Sequence, residues 1–510
     1  MLLAEVVAAS AAVSATRSRK AKVAAFAEVL ARAGEAEVAT VTAYLAGSLR
    51  QRRTGLGWRS LASPPTPADE PTLEVLEVHE AFATIAAMSG PGSQAARAAA
   101  VDALLSRATA DEQAWLRGVV TGAVRQGALD ALVQEGVAAA AGLPLAAVRR
   151  AAMMAGSTTA VATAAMTGGE AALAEFRLAV GRPVLPMLAS SAPDLPAALA
   201  RAGAGAPVAV DAKLDGIRIQ VHRSGDDVLV ATRSLDDITD RLPEVVEAVR
   251  ALPVDRVVLD GEALLLDGAG RPRPFQETAS RTATQHAPGA APGLHVTPYF
   301  FDVLHLDGRD LVDSPGSERA AALEALVPAD HRVARVVTAD EAEAQAFVDE
   351  VLTAGHEGVV VKNLDAPYDA GRRGAAWVKV KPVHTLDLVV LAVEWGSGRR
   401  EGWLSNIHLG ARDPQSETGF VMLGKTFKGM TDAMLAWQTE RFLGLETSRA
   451  GHVVHVAPVQ VVEIALDGLQ RSTRYPGGLA LRFARVVRYR DDKTADEADT
   501  IETVRALGGG

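Results

Sequence analysis

The period of the hydrophobic pattern changes twice along this chain. Up to about residue 175, apolar positions recur at helical spacing. Leu73, Leu76, Ala83 and Ala87 share one helical face, and so do Val101, Leu104 and Leu105. Alanine, the best helix former, dominates this stretch. Ser63-Pro64-Pro65-Thr66-Pro67 and Gly90-Pro91-Gly92-Ser93 interrupt it and read as loops. From about Gly181 the period falls to two. Ile217, Ile219 and Val221 alternate with Arg218, Gln220 and His222, which predicts a half-buried strand that turns at Ser224-Gly225-Asp226-Asp227. Further strands are predicted over 257–266, 299–306, 358–362 and 377–381, with a helix over 339–354. After about Pro382, strand-like runs follow at 386–394, 407–411, 453–464 and 479–489, with a helix over 431–443 and a short one near the end. A chain of 510 residues is too long for one core. The expected division is an all-α domain over 1–175, an α+β domain of mainly antiparallel pairs over 176–383, and a small β-barrel over 384–510.

Composition narrows the setting. Apolar residues make up 48%, enough for real cores, and aromatics only 4%. Cysteine is absent, which excludes disulfides and Cys-based zinc sites and fits a reducing, cytoplasmic compartment. Residues 151–168 carry no charge but are rich in Thr, Ser, Gly and Ala, so a buried helix is expected there and no membrane contact. Glu5 and the lack of an early basic cluster argue against a signal peptide. The net charge of −10 weighs weakly against nucleic acid as a partner, yet a local basic face can still bind phosphates. The clusters at 17–22 and 50–53 could form one, or be solvated helix faces.

Candidate chemistry starts at Asp211-Ala212-Lys213-Leu214-Asp215-Gly216-Ile217-Arg218, a lysine between a strand and a turn. Alone it reads as a surface turn. Four clusters follow: Thr232-Arg233-Ser234, Leu259-Asp260-Gly261-Glu262, Phe300-Phe301-Asp302, and Glu357-Gly358-Val359-Val360-Val361-Lys362 with Trp377-Val378-Lys379-Val380-Lys381. The strand period puts Lys379 and Lys381 on one face, where like charges repel unless an anion lies between them. One candidate lysine nucleophile, several cations, spaced carboxylates and an aromatic residue are what nucleotidyl transfer needs. Cations neutralise a triphosphate, and carboxylates hold Mg²⁺.

In order and spacing these motifs resemble the covalent nucleotidyltransferases: DNA ligases, RNA ligases and mRNA capping enzymes. Leu481-Arg482-Phe483-Ala484-Arg485 with Arg490-Asp491-Asp492-Lys493 resembles the C-terminal motif of ATP-dependent DNA ligases. Residues 181–188, Gly424-Lys425 and 472–478 are similar to ligase segments too, and Ala123-Val124-Arg125-Gln126-Gly127-Ala128 resembles the helical DNA-binding domain of three-domain ligases. The resemblance implies that the last domain is an OB-fold and the middle one the adenylation domain. It implies ATP and Mg²⁺ (or Mn²⁺) as cofactors, and nicked duplex DNA as substrate of a monomeric, nucleoid-associated protein without an evident partner protein.

Residue roles follow from the resemblance. Lys213 would carry AMP. Arg218 and Arg233 would contact AMP or the 5′-phosphate of the nick. Glu262 would hold the ribose and, with Glu357 and Asp215, a metal. Phe301 would stack on adenine. Arg319 and Arg373 would lie near AMP, and Lys379 and Lys381 on its phosphate. Arg482, Arg485, Arg490, Asp492 and Lys493 would orient pyrophosphate as a leaving group when the OB domain closes. Asp211 stands where the family often has a glutamate that reads the adenine amino group, and Ala484 where a proline is common.

Overall fold

The computed structural model describes residues 1–51, 53–124, 129–268, 270–283, 296–369 and 373–507, apart from the side chains of Leu129, Ala283, Arg373 and Arg399. The 125–128 run therefore lies outside the described residues. Nine α-helices between Leu3 and Ala174 are described, and they share one apolar core containing Phe26, Tyr44, Phe82 and Trp115. Their boundaries follow side-chain chemistry: Thr109 accepts the Glu112 N–H while Glu112 accepts the Thr109 N–H, a capping box at the helix Ala110–Val120. The uncharged 151–168 segment falls on the helices Leu145–Ala155 and Thr158–Ala174, which meet at Gly156. Among the described residues, no helix is long and apolar enough to cross a membrane.

Two five-stranded sheets follow. The first is ordered β1-β10-β9-β2-β8. Its strands are β1 (Leu188–Ser191), β2 (Val208–Lys213), β8 (Arg335–Thr338), β9 (Gly358–Asn363) and β10 (Arg373–Val380). The second, fully antiparallel, is ordered β4-β3-β5-β6-β7. It contains β3 (Ile217–Ser224), β4 (Asp227–Thr232), β5 (Arg256–Leu265), β6 (Val296–Leu306) and β7 (Arg309–Asp310). The chain passes from one sheet to the other at Leu214-Asp215-Gly216. Only glycine fits there, because a Cβ on Gly216 would collide with the Ala263 carbonyl oxygen. The predicted helix over 339–354 is present as Glu341–Thr353.

The C-terminal region is β-rich. Its largest sheet has seven antiparallel strands, centred on the long β11 (His384–Trp395), which pairs with β12 (Leu404–Arg412), β15 (Val453–Val456) and β16 (Val461–Leu466). The strand β13 (Phe420–Thr426), the short β14 (Glu446–Ala450) and β19 (Arg485–Arg490) complete it, while β17 (Gly468–Arg471) and β18 (Leu479–Arg482) form a separate hairpin. Two predicted strands are in fact divided. The run 453–464 breaks at Pro458, which has no N–H to pair, and 479–489 breaks at Phe483, whose φ is +54°. The helix expected at 431–443 is Asp432–Gly444.

The helical region is not tethered loosely. Met153 and Met154 are buried in one cluster with Val184, Met187, Leu304, Tyr368 and Trp377 of the α+β region. Leu185 N–H donates to the Met153 carbonyl (3.0 Å), and Arg150 makes a two-pronged ion pair with Asp313 (2.6 Å each). Within the helical region, the helices Arg19–Arg32 and Leu129–Ala141 cross closely at Gly136, where a Cβ would stand 2.8 Å from Phe26 Cβ. Gly136→Val is expected to push these helices apart at a cost of about 1–3 kcal/mol. Thermal melting followed by circular dichroism reads this as a lower Tm, and an unchanged melt would refute the close crossing.

Candidate active site

A cavity of about 450 Å³ lies between the two sheets, a volume suited to a nucleotide. Strand period and register explain its lining. On β2, Asp211 and Lys213 point to the same face, and Val360 of β9 stands opposite Asp211. Lys379 of β10 is opposite that same Val360, and Trp377 is opposite Lys362. From the second sheet, Arg218 on β3 is opposite Glu262 on β5, and Phe301 lies on β6. All of these except Phe301's neighbour Phe300 line the cavity; Phe300 alternates to the other face and is buried in the core.

Lys213 Nζ contacts Glu357, and the other oxygen of Glu357 contacts Lys381 Nζ. Burial opposes ionisation of Glu357, but the two ammonium groups outweigh it and hold its pKa below the ordinary carboxylate value. Lys381 also approaches Asp467 (3.8 Å), which pairs with Arg485 (3.3 Å). Arg482 Nη1 donates to Asp215 Oδ2 (2.8 Å) and lies over Phe275, another cavity residue. The C-terminal region thus closes one side of the Lys213 site.

Glu262 Oε1 accepts the Gly216 N–H (2.9 Å). Burial, countered only in part by Lys213, Gly216 and Arg218, pushes the Glu262 carboxyl up to about 7. Asp211 is buried and fully engaged. Arg335 donates through Nε (2.5 Å) and Nη2 (2.8 Å), and Lys362 Nζ lies 2.6 Å away. Burial raises the Asp211 pKa, but Lys362 and Arg335 together bring it below the ordinary value. Lys362 stands over the Phe301 and Trp377 rings, 4.6 and 4.3 Å from their centroids, and burial lowers its pKa. Arg218 donates to Asp260 through two nitrogens (3.0 and 2.6 Å) and to the Met187 carbonyl (2.6 Å). Tyr368 donates to the same Asp260 (2.6 Å).

The structure therefore gathers Asp211, Lys213, Arg218, Arg233, Glu262, Phe301 and Lys379 at one cavity, with Asp215, Glu357, Lys381, Arg482 and Arg485 bordering it through the ion pairs above. Arg233 is exposed at the rim. Arg373 begins β10, and its side chain lies outside the described residues. Other predicted residues are held by carboxylates or carbonyls of the protein. Arg319 does not line the cavity: it is buried behind it, held by Asp302 (2.8 Å) and by the carbonyls of Ser314 and Ala366. Arg490 and Lys493 lie instead on Asp387 (3.0 and 2.6 Å), with Asp492 gripping Arg490. Asp211 lines the cavity, with its oxygens taken by Arg335 and Lys362. Among the described residues, no group of three or more His, Asp or Glu side chains is gathered as a metal site.

Lys362, Trp377, Arg335, Phe275 and Asp467 were not assigned from sequence. The period from Val360 carries a signal for Lys362. Nothing local marks Arg335, on the distant strand β8, or Asp467, between β16 and β17.

Residues 59–138, 186–381 and 400–493 match, in that order, the models for the DNA ligase N terminus, the ATP dependent DNA ligase domain and the ATP dependent DNA ligase C terminal region. A probable DNA ligase of a Nocardioides species is 73% identical over 100% of this chain and 99% of its own. The chain belongs to the ATP-dependent DNA ligases. Another probable DNA ligase, from Beutenbergia cavernae, is 66% identical over 100% of both chains. A solved structure described as Pmar-Lig_PreS3 shares 16% identity with a TM-score of 0.61, over 95% of this ligase and 99% of that chain, a likeness of fold.

The raised value at Glu262 makes the ligase's stability depend on pH. The folded carboxyl titrates near 7 against an ordinary 4.5, so its contribution is fully present below pH 4.5 and lost as pH rises through 7. The loss amounts to about 3 kcal/mol. Glu262→Gln is expected to flatten the fall in urea-unfolding stability between about pH 5 and pH 8. A variant whose stability falls as steeply as the unmodified ligase would contradict the assignment.

Proposed function

We propose that this ligase seals 3′-OH/5′-phosphate nicks in duplex DNA in three phosphoryl transfers carried by Lys213. First, the Lys213 amine attacks the α-phosphorus of ATP, a P–N bond forms, and pyrophosphate leaves. The attack needs the free amine. AMP then passes to the 5′-phosphate at the nick, and the 3′-hydroxyl displaces it to join the strand. The observation that carries this reading is Lys213 and Lys381 held together by one carboxylate, with Lys379 and Arg233 on the same cavity. A polyphosphate would replace Glu357 as the counter-ion of the two lysines.

Phe301 offers the adenine a face, Glu262 the ribose an acceptor, and Lys379 and Lys381 the α-phosphate its counter-charge. Mg²⁺ fits as an ion that arrives on the triphosphate, because Glu262 keeps one oxygen without a protein donor among the described residues and Glu357 is the carboxylate on Lys213. Glu262 and Glu357 would hold the ion, and it would neutralise phosphate charge. In this reading the C-terminal region, 384–510, is an OB-fold that closes over the nucleotide, 176–383 is the adenylation domain, and 1–175 grips the duplex. The ligase would act as a cytoplasmic monomer.

The duplex path has a candidate face. Trp58 is 64% exposed, and the Arg117 guanidinium lies 5.6 Å from its ring centroid. Arg53 shares a hollow of about 770 Å³ with Thr232, Ser234 and Arg241, beside the Lys213 cavity. By contrast, Arg19 of the 17–22 cluster is spent on Glu135 (2.7 Å).

Incubation with α-labelled ATP and Mg²⁺ is expected to leave covalent label on the ligase, and none on Lys213→Ala or after EDTA treatment. Label from GTP or NAD in place of ATP, or a labelled Lys213→Ala protein, would sink the mechanism. For the DNA face, Arg117→Ala is expected to reduce the slope of log binding constant against log salt by about 1. An unchanged slope would remove Arg117 from the contact.

A further inference from the structure

We infer that Leu235 is a positioning residue for Arg233, and that the helical region sets it through Gly156. This rests on the reading of Arg233 as a contact to AMP or the 5′-phosphate.

The turn after β4 carries Arg233 at the cavity rim. Its backbone closes tightly: Leu235 N–H donates to the Thr232 carbonyl (2.9 Å), Thr232 N–H to the Asp236 carbonyl (2.9 Å), and Ile238 N–H to the Val230 carbonyl (2.9 Å). Side chains tighten it further, with Ser234 Oγ donating to Asp236 (2.6 Å). Closing the turn this way puts Leu235 at φ +65°, a left-handed conformation that a leucine rarely adopts and that glycine or asparagine would take with less strain. Such a residue persists only where its surroundings hold it.

The holding partner comes from another domain. Gly156 ends the helix Leu145–Ala155 in a left-handed conformation of its own (φ +63°). A Cβ on Gly156 would stand 2.8 Å from Leu235 Cδ1 and 2.9 Å from the Pro183 carbonyl oxygen. The leucine therefore seats directly on bare helix-end backbone. Three and two residues earlier, in that helix, Met153 and Met154 are locked into the core behind the cavity. The seat is thus a fixed point, and a leucine side chain, which neither glycine nor asparagine supplies, reaches it. Backbone strain at Leu235 is the cost of placing an apolar peg there. Arg233, exposed and without a carboxylate partner among the described residues, has this peg two residues away as its anchor.

The test is a double-mutant cycle in the full-length ligase. Single-turnover formation of lysyl-AMP and sealing of a pre-adenylylated nicked duplex are timed for the unmodified protein and for Arg233→Ala, Leu235→Ala, Leu235→Met and Arg233→Ala/Leu235→Ala. Leu235→Ala is expected to slow the Arg233-dependent step on the order of tenfold or more, since a small misplacement of a contacting group is costly. Leu235→Met, which refills the seat, recovers most of the rate. The double variant is no slower than Arg233→Ala alone. Additive losses, or a Leu235→Ala protein as fast as the unmodified one, would overturn the inference. A defect in Leu235→Ala that matches a drop in its melting temperature and persists equally on the Arg233→Ala background would do the same. Unmodified ligase that takes no label from ATP would instead refute the proposed function, and an Arg233→Ala protein without a defect would refute the role of Arg233.

Discussion

Electroneutrality around Glu357 governs the site. Lys213 and Lys381 approach one another only because that carboxylate stands between them. The same rule repeats outward: Asp215 answers Arg482, Asp467 answers Lys381 and Arg485, Asp260 answers Arg218, and Asp211 answers Lys362 and Arg335. Buried ion pairs return little net stability, because desolvation offsets their attraction. Their value here is geometric. Each carboxylate fixes a cation in place, so the cations around the cavity keep their positions with no bound anion to hold them.

That arrangement relies on two sheets meeting at a narrow crossing. Gly216 lets β3 leave β2 without a Cβ against Ala263, and its N–H fixes Glu262. The first sheet brings the lysines, and the second brings Arg218, Glu262 and Phe301. Neither sheet holds the set alone.

Much of this was legible in the sequence because strand period is local. Lys379 against Val378, Phe301 against Phe300, and Asp211 with Lys213 each follow from alternation alone. The helical, mixed and β-rich order also follows from pattern. What escaped was partnership across long separations. Arg319 and Arg233 look alike in sequence, yet one is buried on Asp302 and the other stands open at the rim, a difference set by which strand lies opposite. Arg490 and Lys493 carry the motif likeness, and their partner Asp387, about a hundred residues earlier, is invisible in it. Strand breaks at Pro458 and Phe483 have different origins: the proline is visible in the sequence, the left-handed phenylalanine is not.

Met153 and Met154 fill a socket walled by Tyr368 and Trp377, the residues behind Arg218 and Lys362. The Lys213 cavity therefore has a rear wall contributed by the helical region. The helical region is therefore part of how the cavity is built: without its two methionines the socket behind Tyr368 and Trp377 would stand open.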